Sequence, residues 1–250
     1  MSPNTADEPS SAPSDDYPSL KPKNAVSRNQ VVQGVLDLFE APDYLEVGVN
    51  RGVTFRALKA ATKVAVDPKF LFDFEAEASA NVHFHETTSD DYFGQIATPG
   101  TAFDVIYLDG LHTSEQTIRD LVNAFAFLKH DGVIVIDDVF PSSYIASLPE
   151  RQHTRVVRQA TADPSGAWMG DVFRLVFFVE TFCQQYSYAT VNNNHGQLVL
   201  WREPRASVLE RTLRQVSEKD YKDLFLERDT FCFAPLASIV ERIRASRSGA

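Results

Sequence analysis

The sequence predicts an α/β fold in which a mostly parallel β-sheet is covered by helices on both faces. Two observations predict it. Short apolar segments alternate with longer amphipathic segments from about residue 28 onwards. The apolar segments are rich in β-branched residues, most clearly at 132–137 (Gly-Val-Ile-Val-Ile-Asp), as expected of a central buried strand. We expect a ligand site at the carboxyl ends of these strands.

The predicted elements follow one another closely along the chain. The first helix covers 28–40, and its apolar residues at helical spacing are Val31, Val32, Val35, Leu36 and Leu38. Strands are then predicted at 44–48, 63–67, 82–85, 103–109 and 132–137, with helices near 53–62, 70–78 and 114–129. A helix at 170–184 and strands at 186–191 and 197–201 complete the series. Residues 192–196 are rich in Asn and Gly, which favour positive φ and predict a hairpin turn.

Both ends of the chain are predicted to lie outside the main domain, which we place at 25–205. Residues 1–20 are rich in Ser, Pro, Asp and Glu, so 1–24 is predicted to be a disordered tail. Residues 206–250 are predicted to be mainly helical. This extension either caps a ligand site, forms a dimer contact or packs on the main domain.

Composition restricts the class of protein. A chain of 250 residues with 44% hydrophobic residues suits one domain with a sizeable core. The net charge of −10 argues against binding to nucleic acid or to an anionic membrane. The two cysteines, Cys183 and Cys232, cannot form a disulfide framework or an unaided zinc site. Because the sequence shows no run of transmembrane length and no apolar signal core, we expect a cytoplasmic location.

The most informative segment is 44–52, Tyr-Leu-Glu-Val-Gly-Val-Asn-Arg-Gly. A buried strand ends here in a glycine turn, and a helix start with unpaired N–H groups follows. The spacing E-x-G-x-x-x-G resembles the first motif of the class I S-adenosylmethionine (AdoMet) dependent methyltransferases. Its acid suits a cationic, amine-bearing ligand better than a pyrophosphate. A merely structural strand–helix turn is the alternative.

This resemblance covers about 28–203 and implies a Rossmann-like, seven-stranded sheet with one antiparallel strand. It implies that the first loop holds the methionine part of AdoMet, through Glu46, Gly48, Asn50 and Gly52. Asp67 ends the second strand and is expected to accept hydrogen bonds from the ribose; a helix N-cap is the alternative. Ser89 and Asp90 are expected to meet the adenine ring, unless they cap a helix.

A second group of residues points to a metal. Asp109 ends the fourth strand, and Asp137 and Asp138 end the fifth. Carboxylates at neighbouring strand ends repel each other in a partly dry cleft unless a cation or a proton lies between them. Oxygen ligands select a hard ion, Mg²⁺ first and then Mn²⁺ or Ca²⁺. An isolated turn at Asp109 and a cap at the acidic pair are the alternatives.

His112 follows Asp109 by three residues and is predicted to border both sites, so Asp109 and His112 are also expected to contact the cofactor. The pattern D-x-x-H followed by an acidic pair resembles the metal-dependent sugar O-methyltransferases of macrolide biosynthesis. The resemblance implies that Asp109, Asp137 and Asp138 bind Mg²⁺ and that His112 is the catalytic base, with Asp109 beside it. That family often has Glu where this chain has Asp137, which puts the exact position of the ion in doubt.

The resemblance implies an enzyme that methylates a hydroxyl of a sugar, a glycoside or another polyhydroxylated small molecule, and it favours a homodimer or a higher homo-oligomer. Residues 140–171 are the expected acceptor region, with Tyr144, His153, Trp168 and Asp171 as candidate contacts. For Asp171, stabilisation of the following helix is the alternative. Two alternative functions stay open: a catechol-type phenol O-methyltransferase and a catalytically silent binding domain.

Overall fold

The computed structural model describes residues 25–98 and 100–248. The predicted tail, 1–24, lies outside the described residues. Among those described, no helix is long and apolar enough to cross a membrane.

The strands form a single mixed sheet. Their bounds are β1 Asp43–Val47, β2 Thr62–Asp67, β3 Val82–Glu86, β4 Phe103–Leu108, β5 Leu128–Ile136, β6 Tyr186–Val191, β7 Leu198–Arg202 and β8 Phe233–Ala234. The order across the sheet is β3-β2-β1-β4-β5-β7-β6-β8. Among the strands of the described residues, only β7 is antiparallel to its neighbours, β5 and β6. The predicted class of fold is therefore confirmed, and the predicted count of seven strands is one short, because β8 adds a two-residue edge strand from the C-terminal extension.

Nine α-helices connect the strands within the described part of the chain: α1 Arg28–Leu36, α2 Val53–Ala57, α3 Ser89–Asp91, α4 Ser114–Ala124, α5 Arg151–Thr161, α6 Arg174–Phe182, α7 Leu213–Ser217, α8 Asp223–Leu226 and α9 Leu236–Ser248. A π-helical turn, Tyr92–Ile96, continues α3. Short 3₁₀ turns lie at Glu75–Glu77, Phe125–Phe127 and Arg228–Phe231.

One predicted helix is wrong. Residues 70–78 contain only the 3₁₀ turn at Glu75–Glu77. Three phenylalanines at alternate positions, Phe70, Phe72 and Phe74, all pack on Phe84 of β3, with ring centroids 5.5, 5.9 and 5.7 Å from it. Residues two apart do not face the same side of an α-helix, so this shared contact requires a non-helical backbone.

Conversely, α5 was not predicted. Only Thr154 is buried among its residues, so the helix carries no apolar stripe that the sequence could have revealed.

The sheet separates two hydrophobic clusters. One contains Leu45, Ile106 and Ile134 together with residues of α4 and α6. The other contains Tyr44, Val105 and Val133 together with residues of α1 and α9. Alternate strand residues thus face opposite helical layers, which places helices on both faces as expected. Ile239 and Ile243 of α9 are fully or almost fully buried in the second cluster, so the extension packs on the sheet, while the boundary at 205 stays a prediction.

The register brings three strand ends side by side. Val47 lies opposite Leu108, and Leu108 lies opposite Ile136. The backbone N–H of Asp109 donates to the Val47 carbonyl at 2.8 Å, and that of Asp137 donates to the Leu108 carbonyl at 3.0 Å. The residues that follow β1, β4 and β5 therefore meet at one edge of the sheet.

Candidate functional site

A cleft of about 730 Å³ opens at the carboxyl ends of β1, β2 and β4. Of the predicted cofactor contacts, eight line it: Glu46, Gly48, Asn50, Asp67, Ser89, Asp90, Asp109 and His112. Gly52 does not. Its φ is +71° and a Cβ there would lie 3.0 Å from the ring of Phe72, so Gly52 shapes the start of α2 instead of the cleft wall.

The first loop is built by close backbone approach. Gly48 has a φ of +89°, and a Cβ added there would lie 2.0 Å from the backbone oxygen of Asp109. Only glycine fits this position, because both the conformation and the space exclude a side chain. The loops after β1 and β4 are thereby held in contact, which links this cleft to the acidic residues beside it.

Glu46 is the acid of the first loop, and it is almost completely buried. The Tyr44 hydroxyl donates to its Oε2 at 2.7 Å. Burial raises the pKa of Glu46 to about 8, although the hydrogen bond from Tyr44 and the charge of Arg28 oppose this shift. Since the side chain also lines the cleft, a cationic ligand beside it would favour the ionised form.

Asp67 is held by two backbone groups. The N–H groups of Asn50 and Lys69 donate to its two carboxylate oxygens at 2.8 and 2.7 Å. No α-helix follows within 68–80, so the alternative of a helix cap is wrong. The carboxylate instead joins the first loop to the end of β2, with one edge in the cleft.

In the loop after β3, the residue that caps α3 is not one of the two residues predicted to meet the adenine ring. Thr88 is the N-cap of α3 and accepts from the N–H of Asp91 at 3.1 Å. Ser89 and Asp90 are therefore not the cap, and both line the cleft. Asp90 also pairs with Arg119 at 2.9 Å.

The structure places the three predicted metal ligands in two overlapping groups that share Asp138. Ligand atoms of Asp109, His112 and Asp138 lie within 4.8 Å of one another, as do those of Asp137, Asp138 and His195. Asp137 and Asp138 are buried, and Asp138 has a φ of +60°. A left-handed backbone at a non-glycine residue is costly and concentrates at functional sites.

Two further residues complete this acidic cluster. The Nε of Arg28 lies 2.6 Å from Asp137 Oδ2, and its Nη1 lies 3.1 Å from Asp109 Oδ2. The Nε2 of His195 lies 2.7 Å from Asp137 Oδ1. Neither residue was predicted. His195 belongs to the hairpin turn before β7. This turn reaches Asp137 because β7 pairs with β5.

The three carboxyls of the acidic cluster differ in the direction of their pKa shifts. Burial raises the pKa of Asp137, but His195 and Arg28 lower it by more, so its pKa lies below the ordinary value. Burial and the neighbouring charge of Asp137 raise the pKa of both Asp109 and Asp138. Among the described residues, three carboxylates thus face one permanent cation, Arg28. A hard divalent ion with oxygen ligands fits this donor set.

His112 lies at the border between the acidic cluster and the 730 Å³ cleft. Its Nδ1 lies 2.9 Å from Asp138 Oδ2 and 3.1 Å from the backbone oxygen of Trp168. Both neighbours are acceptors, so Nδ1 carries the hydrogen and Nε2 is left able to accept a proton. Burial lowers the pKa of His112, but the hydrogen bond and charge of Asp138 outweigh it and raise the pKa overall.

The segment after β5 fixes the other side of His112. The ring of Trp168 stacks on the imidazole at 4.8 Å with an angle of 8° between the planes. Gly170 has a φ of +62°, and a Cβ there would lie 1.6 Å from the backbone oxygen of His112. The imidazole is therefore held between Asp138 and a flat aromatic wall.

Of the four predicted acceptor contacts, only Trp168 lines the cleft. Tyr144 is exposed and lies against Tyr221, with ring centroids 6.2 Å apart. His153 is exposed on α5, 3.4 Å from Glu150. These two predictions are not supported, since neither side chain is among the residues that line the cleft.

Asp171 has a structural environment. Its carboxylate accepts from the backbone N–H and the hydroxyl of Ser114, at 2.7 and 3.0 Å, and pairs with Arg174. It therefore ties the start of α4 to α6. These contacts agree better with the alternative, in which Asp171 stabilises a helix, than with the prediction that Asp171 binds the acceptor.

Comparison with known proteins agrees with this fold. Residues 45–139 match the model of a family described as a methyltransferase domain. None of the curated proteins matches the chain in sequence. Among solved structures, a candidate caffeoyl-CoA O-methyltransferase from Staphylococcus aureus has 12% identity and a TM-score of 0.50, over 71% of this chain and 85% of that one.

Two other solved structures are more distant in shape. The O-methyltransferase TomG from Streptomyces achromogenes, in complex with AdoMet, has 18% identity and a TM-score of 0.43, over 71% of this chain and 81% of that one. The MycE methyltransferase of the mycinamycin pathway has 14% identity and a TM-score of 0.46, over 72% of this chain and 50% of that one. Residues 45–139, which include the glycine loop, therefore resemble a methyltransferase domain, and the fold is similar to that of the Staphylococcus aureus structure.

Proposed function

We propose that this protein is a Mg²⁺-dependent O-methyltransferase that methylates a hydroxyl of a sugar or another polyhydroxylated small molecule. One observation carries the proposal: Asp109, Asp138 and His112 converge within 4.8 Å, and Asp109 and His112 also line the cofactor cleft. A proton acceptor and a cation site beside a methyl donor suit an oxygen acceptor, because a hydroxyl must lose its proton to become a good nucleophile.

The residues of the cofactor cleft would bind and orient AdoMet. Glu46 would face the ammonium group of the methionine part, and Asp67 would accept from the ribose. When bound, AdoMet supplies the methyl group. The close contact between Gly48 and Asp109 would keep the donor beside the acidic cluster.

His112 would remove the proton from the acceptor hydroxyl. Its Nδ1–H is held by Asp138 and the Trp168 carbonyl, which leaves Nε2 to receive that proton. Trp168, which lines the cleft and stacks on His112, would keep the imidazole in place beside the acceptor. Asp109, Asp137 and Asp138 would hold the metal ion, which when bound supplies positive charge that lowers the pKa of a nearby hydroxyl.

The proposal is tested by incubating the protein with AdoMet, Mg²⁺ and a panel of sugars, other polyols and catechols, and measuring S-adenosylhomocysteine. We expect turnover of a polyol, its loss after treatment with EDTA, and its recovery with Mg²⁺. The variant His112→Ala should lose activity, while His130→Ala, which removes an exposed histidine on β5, should not.

Other outcomes separate the alternatives. Methylation of catechols alone would identify a phenol O-methyltransferase, and full activity in EDTA would remove the metal from the reaction. AdoMet binding without turnover of any acceptor class would point to a silent domain. We also propose a homodimer or a higher homo-oligomer, which light scattering of the purified protein tests; a monomer at all concentrations would contradict it.

A further inference from the structure

A second cleft adjoins the first. Its volume is about 720 Å³, and its lining is Asn50, His112, Arg151, Thr154, Arg155, Arg158, Gly166 and Trp168. Three of these residues, Asn50, His112 and Trp168, line both clefts. The two clefts therefore meet at the proposed base, and α5 forms the far wall of the second.

The second cleft is basic, whereas the first is acidic. Arg151, Arg155 and Arg158 are spaced four and three residues apart, which places them on one face of α5. No acidic residue is among the described residues that line the second cleft. In a chain with a net charge of −10, three arginines on one wall mark a site with a distinct preference for negative charge.

Two of these arginines, Arg151 and Arg155, have no acidic partner among the described residues. Arg155 makes no ion pair or hydrogen bond with any residue of 25–98 or 100–248. The guanidinium of Arg151 lies 5.6 Å above the Trp168 ring, a contact that leaves its N–H groups free to donate. The wall therefore offers N–H donors as well as charge.

One N–H group of Arg158 has no hydrogen-bond acceptor among the described residues. One of its terminal N–H groups donates to the Ala167 carbonyl. Its Nε is buried but has no hydrogen-bond partner, and the carboxylate of Asp163 lies 3.8 Å away. A buried donor without an acceptor is costly, and the nearby carboxylate of Asp163 offsets part of the charge of Arg158.

We propose that the second cleft binds the methyl acceptor through a phosphate or carboxylate group on that acceptor. Guanidinium groups match the oxygens of either anion with paired hydrogen bonds. Arg151 and Arg158 lie about 10 Å apart along the helix axis, so a sugar-sized molecule can contact this wall while it reaches His112. The inference rests on the proposed function, because it takes the bound molecule to be the methyl acceptor.

The experiment measures binding, so it does not depend on turnover. Calorimetry would compare glucose 6-phosphate, glucuronate and neutral methyl glucoside, each added to the full chain saturated with S-adenosylhomocysteine. We expect the better of the two anions to bind about tenfold more tightly than the neutral sugar, and added salt to weaken only the anions. The phosphate and the carboxylate arms identify which anion is preferred.

Two variants test the role of the arginines. Arg155→Gln should weaken binding of the preferred anion about tenfold and leave the neutral sugar unchanged, because it removes one charged donor. Arg155 has no partner to lose within the described residues, so its replacement should leave the melting temperature unchanged. The matched control is Arg214→Gln on α7, which removes an exposed arginine paired with Glu218 and should not change binding.

Three results would overturn the inference: equal affinity for charged and neutral sugars, no binding of either anion or of inorganic phosphate at millimolar concentration, or unchanged anion binding in Arg155→Gln. The proposed function fails separately. Arginine-dependent binding without methylation of any hydroxyl would keep the anion site and reject the function. Equal methylation of neutral and charged sugars would keep the function and reject the anion site.

Discussion

Replacing Glu46 with glutamine should make the protein more stable, and the gain should grow as the pH rises. Glu46 is almost completely buried, and burial raises its pKa from 4.5 to about 8. Between these two values the unfolded chain releases a proton that the folded chain retains. The stability contributed by the protonated carboxyl is therefore complete below pH 4.5 and is lost as the pH rises to about 8.

The size of the effect follows from the shift. Each pKa unit corresponds to about 1.4 kcal/mol, so the stability lost between pH 5 and pH 8.5 is about 4 kcal/mol. Glutamine is nearly isosteric, cannot ionise, and still offers an oxygen to the Tyr44 hydroxyl. The free energy of unfolding of Glu46→Gln should therefore exceed that of the wild type by an amount that increases over this range.

The measurement is urea unfolding of both proteins without AdoMet, at several pH values. Glu241→Gln, which replaces an exposed carboxyl on α9, is the matched control. A constant difference between Glu46→Gln and the wild type would refute the reasoning, because it would mean that Glu46 titrates alike in the folded and unfolded states.

Three further outcomes are expected. His112→Ala should lower methyl transfer by roughly 10²–10⁴-fold, the usual contribution of a general base, while binding of AdoMet is retained in calorimetry; equal loss of both would instead indicate a structural role. Asp138→Asn should weaken Mn²⁺ binding, measured by the electron paramagnetic resonance signal of free Mn²⁺, and an unchanged signal would exclude Asp138 as a ligand. Gly48→Ala should cost at least about 1–3 kcal/mol of stability from backbone strain alone, measured by urea unfolding; wild-type stability would contradict the close contact with Asp109.

The positions of the acids were predictable because they depend on local sequence. A parallel sheet is recognisable from its β-branched segments, and the residue after each such segment must lie at the carboxyl edge. Asp109 and Asp137 needed no more than this to be placed together. The glycine at 48 was equally clear, since its spacing from Glu46 is part of a short motif.

The site residues that the sequence did not predict are brought in by contacts between distant parts of the chain. Arg28 and His195 both reach Asp137, from the start of α1 and from the turn before β7. Their approach is set by how helix and hairpin pack on the sheet, which no short pattern in the sequence records. The face of α5 that carries Arg151, Arg155 and Arg158 was not predicted for a related reason. This helix buries only Thr154, so the sequence shows no apolar stripe from which the helix and its faces could be recognised.

The position of Arg28 has a consequence for how the protein matures. Its guanidinium bonds to both Asp109 and Asp137, so the folded chain carries its own counter-ion. Folding of this edge of the sheet does not have to wait for an external cation, as it does in small domains whose ligands repel each other until metal arrives. A metal ion at the proposed site would have to compete with this arginine, so it would bind after folding and would remain exchangeable.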